Sequence, residues 1–393
     1  MTVLTSPLTF GPAWPLAEKS VITYNLLIMK KPQPTASGFF SPPFSFSLSL
    51  PLFILMLFII VFVPGCARSS QGSESQFVMG TFCTISLYEK GSKGLYSEVF
   101  KRIHELEDIL SANREGSDLD MVNKNAGIRP VKVRKELIEV LEKALEYAEK
   151  SGGFFDPSVG PLVKLWGIGS DEEHVPGKAE IAEALTLIDY RKIEINLEEQ
   201  TVYLQQPGMA LDLGAIAKGY AADEAAKILS MGGVERAIID LGGNIFAMGE
   251  RKTAGKKTAN DETYWRIGIQ DPREERGLYI GILRVKNLSV VTSGSYERFF
   301  EEGGKLYHHI FSTESGLPVE NGLLSVTIMA EKSTDADALS TSAFALGWER
   351  GSELIAGTSG AEGIFVFEDL SVRLTGDLEK SFTLTAAEYR LIH

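Results

Sequence analysis

An α+β fold of mixed sheets and packed helices is expected for this chain, on three observations. Segments alternating with period two and segments with helical apolar spacing are interspersed, without the strand–helix–strand rhythm of a doubly wound sheet. No internal repeat is visible. Only two cysteines, Cys66 and Cys83, occur in 393 residues, so the fold must stand on an apolar core rather than a disulfide framework.

Taken in order, Phe77 to Tyr88 alternates in β-rich residues and reads as one strand. Leu95, Val99, Ile103, Leu106 and Leu110 mark an amphipathic helix, and a second spans Lys135 to Ser151, ended by Gly152-Gly153. Lys192 to Leu204 reads as a hairpin with Ile193 and Ile195 facing Val202 and Leu204, followed by a helix from about Ala215 to Met231. Arg236 to Asp240 is a strand leading into Asp240-Leu241-Gly242-Gly243-Asn244. Those glycines suit either a simple turn or a close backbone approach to a ligand; the sequence is not GxGxxG and implies no dinucleotide fold. Arg251 to Thr263 reads as an exposed loop. Trp265 to Gln270, Tyr279 to Val285, Ser289 to Thr292 and Leu324 to Ala330 read as strands, and Glu362 to Glu368 and Ser371 to Leu374 close the chain as β.

Residues 1–66 are a different kind of sequence. Lys30-Lys31 follows Met29, a candidate start, and Phe44 to Val63 is almost wholly apolar before Val63-Pro64-Gly65-Cys66. Charged region, apolar region and small residue before cysteine read as a lipoprotein-type leader, with lipidation of Cys66 anchoring the mature chain to a membrane. The apolar run also approaches the ~20 residues that span a bilayer, so an uncleaved anchor is the alternative. Either way the bulk of the chain is expected outside the cytoplasm, with residues 67–76 as a tether and 77–393 as the working domain. A net charge of −13 argues against nucleic-acid binding.

The run Lys332 to Thr341 carries the most chemistry. Small and polar residues open a helix that Ala338, Leu339, Ala343, Phe344 and Leu346 continue. Asp337 and Thr341, four apart, share one face near its start, where a carboxylate and a hydroxyl suit Mg²⁺ carrying a phosphate; a capped helix with an ordinary aspartate is the alternative. Phe155-Asp156-Pro157 reads as a loop with a buried ring, its aspartate either capping a helix begun at Pro157 or Pro161 or meeting a ligand edge. In Tyr307-His308-His309-Ile310 two adjacent histidines on a strand would face opposite ways, one structural and one, His309, a proton carrier.

Several of these segments and others occur in one characteristic order: Met79-Gly80-Thr81; Ser117-Asp118-Leu119 with Asn123; Gly153 to Leu162; Asp212 to Tyr220; Asp240 to Asn244; Thr292 to Arg298; Tyr307 to Ile310; and Ala336 to Thr341. In that order they resemble the ApbE family of FAD:protein FMN transferases over nearly everything after residue 75. The resemblance implies a two-lobed α+β fold and an enzyme that uses FAD as substrate, moves FMN to a threonine or serine hydroxyl of another protein with Mg²⁺, and releases AMP. It implies metal oxygens from Asp337, Thr341 and the carbonyl of Ala215, and flavin or adenine contacts from Met79, Phe154, Phe155, Asp156, Asp212, Lys218 and Ile310. The implied partners are extracytoplasmic domains of flavin-carrying redox proteins.

Two departures stand out. Phe311-Ser312-Thr313 replaces an Asp-Pro pair common after the His-Ile, and Asn113 stands where relatives often carry a flavin-stacking tyrosine. An amide there keeps open an Mg²⁺-dependent FAD hydrolase giving FMN and AMP, and beyond it a non-catalytic FAD-binding lipoprotein. Asp335 leaves a second Mg²⁺ open.

Overall fold

A computed structural model describes residues 72–89, 93–251 and 263–392. Cys66, the leader, most of the expected tether and the interior of the loop after Arg251 lie outside the described residues. The chain opens on β1 (Gly72–Val78) and β2 (Thr81–Leu87). The single strand expected over Phe77–Tyr88 is thus the second arm of a hairpin that begins within the expected tether. Met79 and Gly80 adopt φ of 54° and 71°, the two left-handed residues of a tight hairpin turn that strand alternation alone does not reveal.

Then follow α1 (Lys93–Leu110), α2 (Asp118–Lys124), β3 (Val131–Lys132), α3 (Lys135–Ser151), α4 (Gly160–Trp166) and α5 (Lys178–Leu185). Helix α3 ends at Gly152, whose φ of 67° gives a left-handed cap. The hairpin β4 (Ile193–Asn196) and β5 (Thr201–Leu204) pairs Ile193 with Leu204 and Ile195 with Val202, as expected. Helix α6 (Ala217–Met231) leads to β6 (Ala237–Leu241) and β7 (Asn244–Met248), then β8 (Trp265–Gln270), β9 (Tyr279–Val285) and β10 (Leu288–Gly294). A hairpin, β11 (Phe299–Glu302) and β12 (Lys305–His308), precedes β13 (Leu323–Ala330) and the long α7 (Ser333–Ala356). Helix α7 breaks at Gly347, φ 76°, where Asn321 Nδ2 donates to the Phe344 carbonyl at 2.6 Å. The chain closes with β14 (Glu362–Phe367), β15 (Ser371–Leu374), β16 (Phe382–Leu384) and β17 (Arg390–Leu391).

The organising element is a nine-stranded sheet in the order β1-β2-β6-β7-β10-β13-β14-β15-β17, antiparallel except for the last pair. Alternation divides its residues between two cores. Ile85, Ile239, Val326 and Phe365 pack with Val99 and Ile103 of α1, Leu141 of α3, Ala221 of α6 and Leu339 of α7. Val290, Ile364 and Val366, from the other face, join Trp265, Ile267, Leu283 and Phe382 of a three-stranded sheet β16-β9-β8. A smaller cluster stacks Trp166 of α4 on Phe311, at 5.7 Å between centroids, beside Phe300 of the β11–β12 hairpin. The mixed sheets with packed helices are the expected α+β class, built with no disulfide among the described residues and with Cys83 free and buried.

Candidate active site

Helix α7 starts without a cap of its own, since Lys332 makes no side-chain bond there. Asp223 of α6 supplies one. Its Oδ1 accepts from the Ser333 N–H at 2.8 Å, and its Oδ2 accepts from the N–H and hydroxyl of Thr334 at 2.9 and 2.6 Å. The two helices approach so closely that a Cβ on Gly219 would lie 2.3 Å from the Ser333 carbonyl oxygen and 2.8 Å from Asp337 Cβ. Glycine at 219 is therefore a packing requirement.

That approach rearranges the start of α6. The Gly219 N–H donates to Asp337 Oδ2 at 2.8 Å. In a regular helix it would have turned back to the carbonyl of Ala215. Helix α6 begins at Ala217 rather than the expected Ala215, because Ile216, at φ −149°, is not helical. Among the described residues no donor reaches the Ala215 carbonyl. Asp337 itself is 4 % exposed. Burial pushes its pKa up, opposed by the Lys218 charge, the Gly219 N–H and the Asn244 amide. One turn on, the half-buried Thr341 places Oγ1 3.1 Å from Ser293 Oγ at the end of β10, which lies 2.8 Å from Ser340 Oγ. Behind them Ser333 donates to Asn244 Oδ1 at 2.5 Å.

The α6–α7 junction thus carries one buried carboxylate, one hydroxyl a turn further along α7, and one carbonyl without a donor just before α6. No group of three or more His, Cys, Asp or Glu side chains suited to a metal occurs among the described residues. The junction's oxygens are the hard, weakly charged set that suits Mg²⁺ shared with phosphate. Asp335 takes no part in it: its Oδ1 accepts from Tyr147 Oη at 3.0 Å and lies 3.3 Å from Lys143 Nζ, both on α3.

Lys218 is half-buried with Nζ 3.4 Å from the Gly214 carbonyl, and its charge acts on Asp337, Glu297 and His309. Asp212 braces the same loop, its Oδ1 accepting from the Gly214 N–H at 2.8 Å. Glu297 lies within the Thr292 to Arg298 segment of the resemblance but is not among the site residues singled out from the sequence. Water reaches its side chain, yet crowding by protein, with Asp337 nearby, pushes its pKa up to about 6 against the pull of Lys218 and Arg298.

The two histidines divide as different neighbours dictate. His308, the last residue of β12, is buried; its Nε2 donates to the Val319 carbonyl at 2.9 Å and its Nδ1 accepts from the Ile310 N–H at 3.3 Å. His309 lies just beyond the strand, half-buried, with Nδ1 donating to the Arg298 carbonyl at 3.2 Å. Burial, then Arg298, hold its pKa well below the ordinary value, so the ring is neutral at pH 7. Because a carbonyl can only accept, the proton is on Nδ1 and the lone pair on Nε2.

The remaining predicted contacts are held by partners of their own. Met79 is half-buried at the β1–β2 turn, its N–H donating to Glu107 Oε1 at 2.6 Å. Asn113 is exposed after α1, its N–H donating to Ser111 Oγ at 3.3 Å. The Phe154 ring carries the Arg350 guanidinium 4.4 Å from its centroid, and Phe155 is buried edge-on to Tyr147. Asp156 does not cap α4, whose N-cap is Val159. Its Oδ1 accepts from the N–H and hydroxyl of Ser158 at 2.8 and 2.6 Å, and its Oδ2 from the Tyr190 N–H at 3.0 Å. Ile310 is buried in the main core, its carbonyl accepting from the Val319 N–H at 2.9 Å. The loop after it reaches Gly153, whose carbonyl accepts from Thr313 Oγ1 at 2.8 Å. No hydrogen bond or ion pair joins Met79, Asn113 or Phe154 to the Asp337 cluster among the described residues.

Comparison with known proteins agrees with this architecture. Residues 79–365 match the model of the ApbE family. A FAD:protein FMN transferase of Treponema pallidum is 41% identical over 323 residues, covering 80% of this chain and 89% of that protein. One from Klebsiella pneumoniae is 38% identical over 322 residues, covering 81% and 96%. Among solved structures, the ApbE protein of Thermotoga maritima superposes with a TM-score of 0.70 at 30% identity, covering 79% of this chain and 99% of that one. The flavin transferase ApbE of Vibrio cholerae gives 0.67 at 26% identity, covering 82% and 98%. On the extent of the family match and the identity to these relatives, the chain belongs to the ApbE family.

Proposed function

We propose that this protein is an enzyme that transfers FMN from FAD to a hydroxyl, of threonine or serine, on an acceptor flavoprotein, releasing AMP. The observation that carries the reading is the α6–α7 junction, where Asp337 takes the Gly219 N–H and leaves the Ala215 carbonyl without a donor, with Thr341 one turn further along α7, in a chain related along most of its length to FAD:protein FMN transferases. Mg²⁺ fits this donor set and, when bound, would neutralise charge on the FAD pyrophosphate. Lys218 adds a cation at the same place. Asp212 fixes the loop that presents both Ala215 and Lys218. The side chains of Phe154 to Asp156 are held by the protein itself, and the Phe155 N–H donates to Ser151 Oγ at 3.0 Å, so an adenine or flavin edge would meet the remaining backbone groups of this loop. Met79 and Ile310 offer apolar contact, and Asn113 an exposed amide.

The acceptor oxygen forms a bond to the FMN phosphorus as the pyrophosphate P–O bond breaks, and AMP departs with the electron pair. His309 Nε2, unprotonated, takes the hydroxyl proton. Water in place of the acceptor would give FMN and AMP, a reading favoured only by the exposed amide at Asn113.

The partners we propose are extracytoplasmic domains of flavin-carrying redox proteins. The leader ending at Cys66 supports a lipid-anchored location on the outer face of the cytoplasmic membrane. No helix among the described residues is long and apolar enough to cross a membrane. Incubation with FAD, Mg²⁺ and a flavin-acceptor domain tests the activity: an FMN mass on the acceptor that EDTA abolishes supports it. Free FMN and AMP with no adduct, or FAD left intact, overturns it.

A further inference from the structure

The β1–β2 hairpin has two unlike faces. Toward α1 it presents Glu74, Gln76 and Val78, and Gln76 Oε1 lies 3.1 Å from His104 Nε2. The opposite face carries Ser73, Ser75 and Phe77 on β1, set against Ser86, Thr84 and Phe82 on β2. The hydroxyls pair with one another, Ser73 with Ser86 at 3.1 Å and Ser75 with Thr84 at 2.8 Å. The two phenylalanines stand directly opposite, edge to face at 5.4 Å between centroids. They are 63% and 70% exposed, the largest exposures of any aromatic side chains among the described residues. The hairpin's own outward side chains carry no charge, in a protein whose sequence is 23% charged; Asp240 of the adjoining β6, paired with Thr84, is the neighbouring carboxylate on that side.

A hairpin face without charge, tipped by paired rings, has the composition of a surface that rests in the interfacial layer of a bilayer, where aromatic rings concentrate. It is poorly suited to bulk water. Its place in the chain says which surface. Gly72 opens β1, and a chain of the length from Cys66 to Gly72 reaches at most about 20 Å. A lipid on Cys66 would therefore hold this edge of the sheet within reach of the headgroups. The hydroxyls of the hairpin satisfy each other, and the nearest carboxylate on this face is Asp240 of the neighbouring β6, paired with Thr84.

We infer that the outer face of the β1–β2 hairpin seats on the membrane, with Phe77 and Phe82 entering its interfacial layer. This rests on the anchoring proposed through Cys66. The same hairpin carries Met79 at its turn, so seating would fix the height of that end of the site above the bilayer. A lipid tether fixes location, and a second contact of this kind would fix orientation as well.

Spin labels on Phe77→Cys, Phe82→Cys and, as a control, Met231→Cys, which is 81% exposed at the end of α6, test this in the full chain reconstituted into phosphatidylglycerol–phosphatidylethanolamine vesicles. Cys83 is buried, and retained FMN transfer certifies each labelled protein as folded. The expected result is a several-fold higher ratio of oxygen to nickel-chelate accessibility at 77 and 82 than at 231. Ratios at 77 and 82 equal to that at 231 overturn the inference. So does shielding that is already present without vesicles, or that appears only when an acceptor domain is added. The mass of the Cys66 peptide reports anchoring separately. Shielded labels with no acyl mass would keep the seating and remove the anchor, and an acyl mass with aqueous labels would do the reverse.

Discussion

The α6–α7 junction and the loop from Gly153 to Ser158 are each built around a buried aspartate beside glycine, and they treat its oxygens in opposite ways. Asp156 receives three donors from Ser158 and Tyr190. Asp337 receives on Oδ2 the Gly219 N–H, a donor the Ala215 carbonyl thereby loses, is helped by the Asn244 amide, and has the Thr341 hydroxyl one turn along. Burial raises both carboxyl pKa values. What separates them is whether the protein completes the coordination. A closed set of donors is scaffold; an open set of hard oxygens asks for a ligand.

The sharpest test of that contrast is Asp337→Ala against Asp156→Ala. The first should lower the rate of FMN adduct formation on the order of a thousandfold while the protein stays folded. The second should leave the rate per folded molecule within a few fold but cost about 1–3 kcal/mol in denaturant unfolding, because three donors lose their acceptor. Equal losses of rate at unchanged stability would erase the distinction.

The histidines sharpen it further. His309→Ala should cost about 10²–10⁴ in turnover at saturating FAD. His308→Ala should act through stability, since the Val319 carbonyl and Ile310 N–H would lose their partners. Next in size is Gly219→Ala, where the added methyl meets the Ser333 carbonyl. We expect about 1–3 kcal/mol of destabilisation together with lost transfer, from unfolding and activity measured on one preparation.

The smallest effect is on pH dependence. Glu297 is raised from 4.5 to about 6 in the folded protein, so its contribution to stability is present below pH 4.5 and lost as pH rises through about 6. His309 is shifted downward, and its contribution has the opposite sign, present above 6.5 and lost as pH falls. Glu297→Gln removes only the first. Its melting temperature relative to the parent, without metal, should therefore climb between pH 4.5 and about 6; a flat difference would count against the crowding of Glu297.

Much of this was legible in the sequence where local signals are strong. Apolar spacing placed α1 and α3, Gly152 marked the end of α3, and the alternation of Ile193 and Ile195 fixed the β4–β5 register. The hairpin turn at Met79 was not legible, because a methionine with φ of 54° gives no turn signal of its own. The Asp337–Thr341 spacing was readable because both lie on one helix face. The cap from Asp223, the fit of Gly219 and the release of the Ala215 carbonyl were not, since each arises where α6 meets α7, more than a hundred residues apart in the chain. The neutral His309 was likewise hidden, its tautomer being set by a carbonyl eleven residues away.

The most direct measurement is the binding of Mn²⁺, a hard cation visible by electron paramagnetic resonance, to the parent protein and to Asp337→Ala in the presence of FAD. The open oxygens at the α6–α7 junction predict a saturable site that Mg²⁺ competes for and that the substitution abolishes while flavin binding persists. Undiminished Mn²⁺ binding by Asp337→Ala would contradict it and place the metal elsewhere.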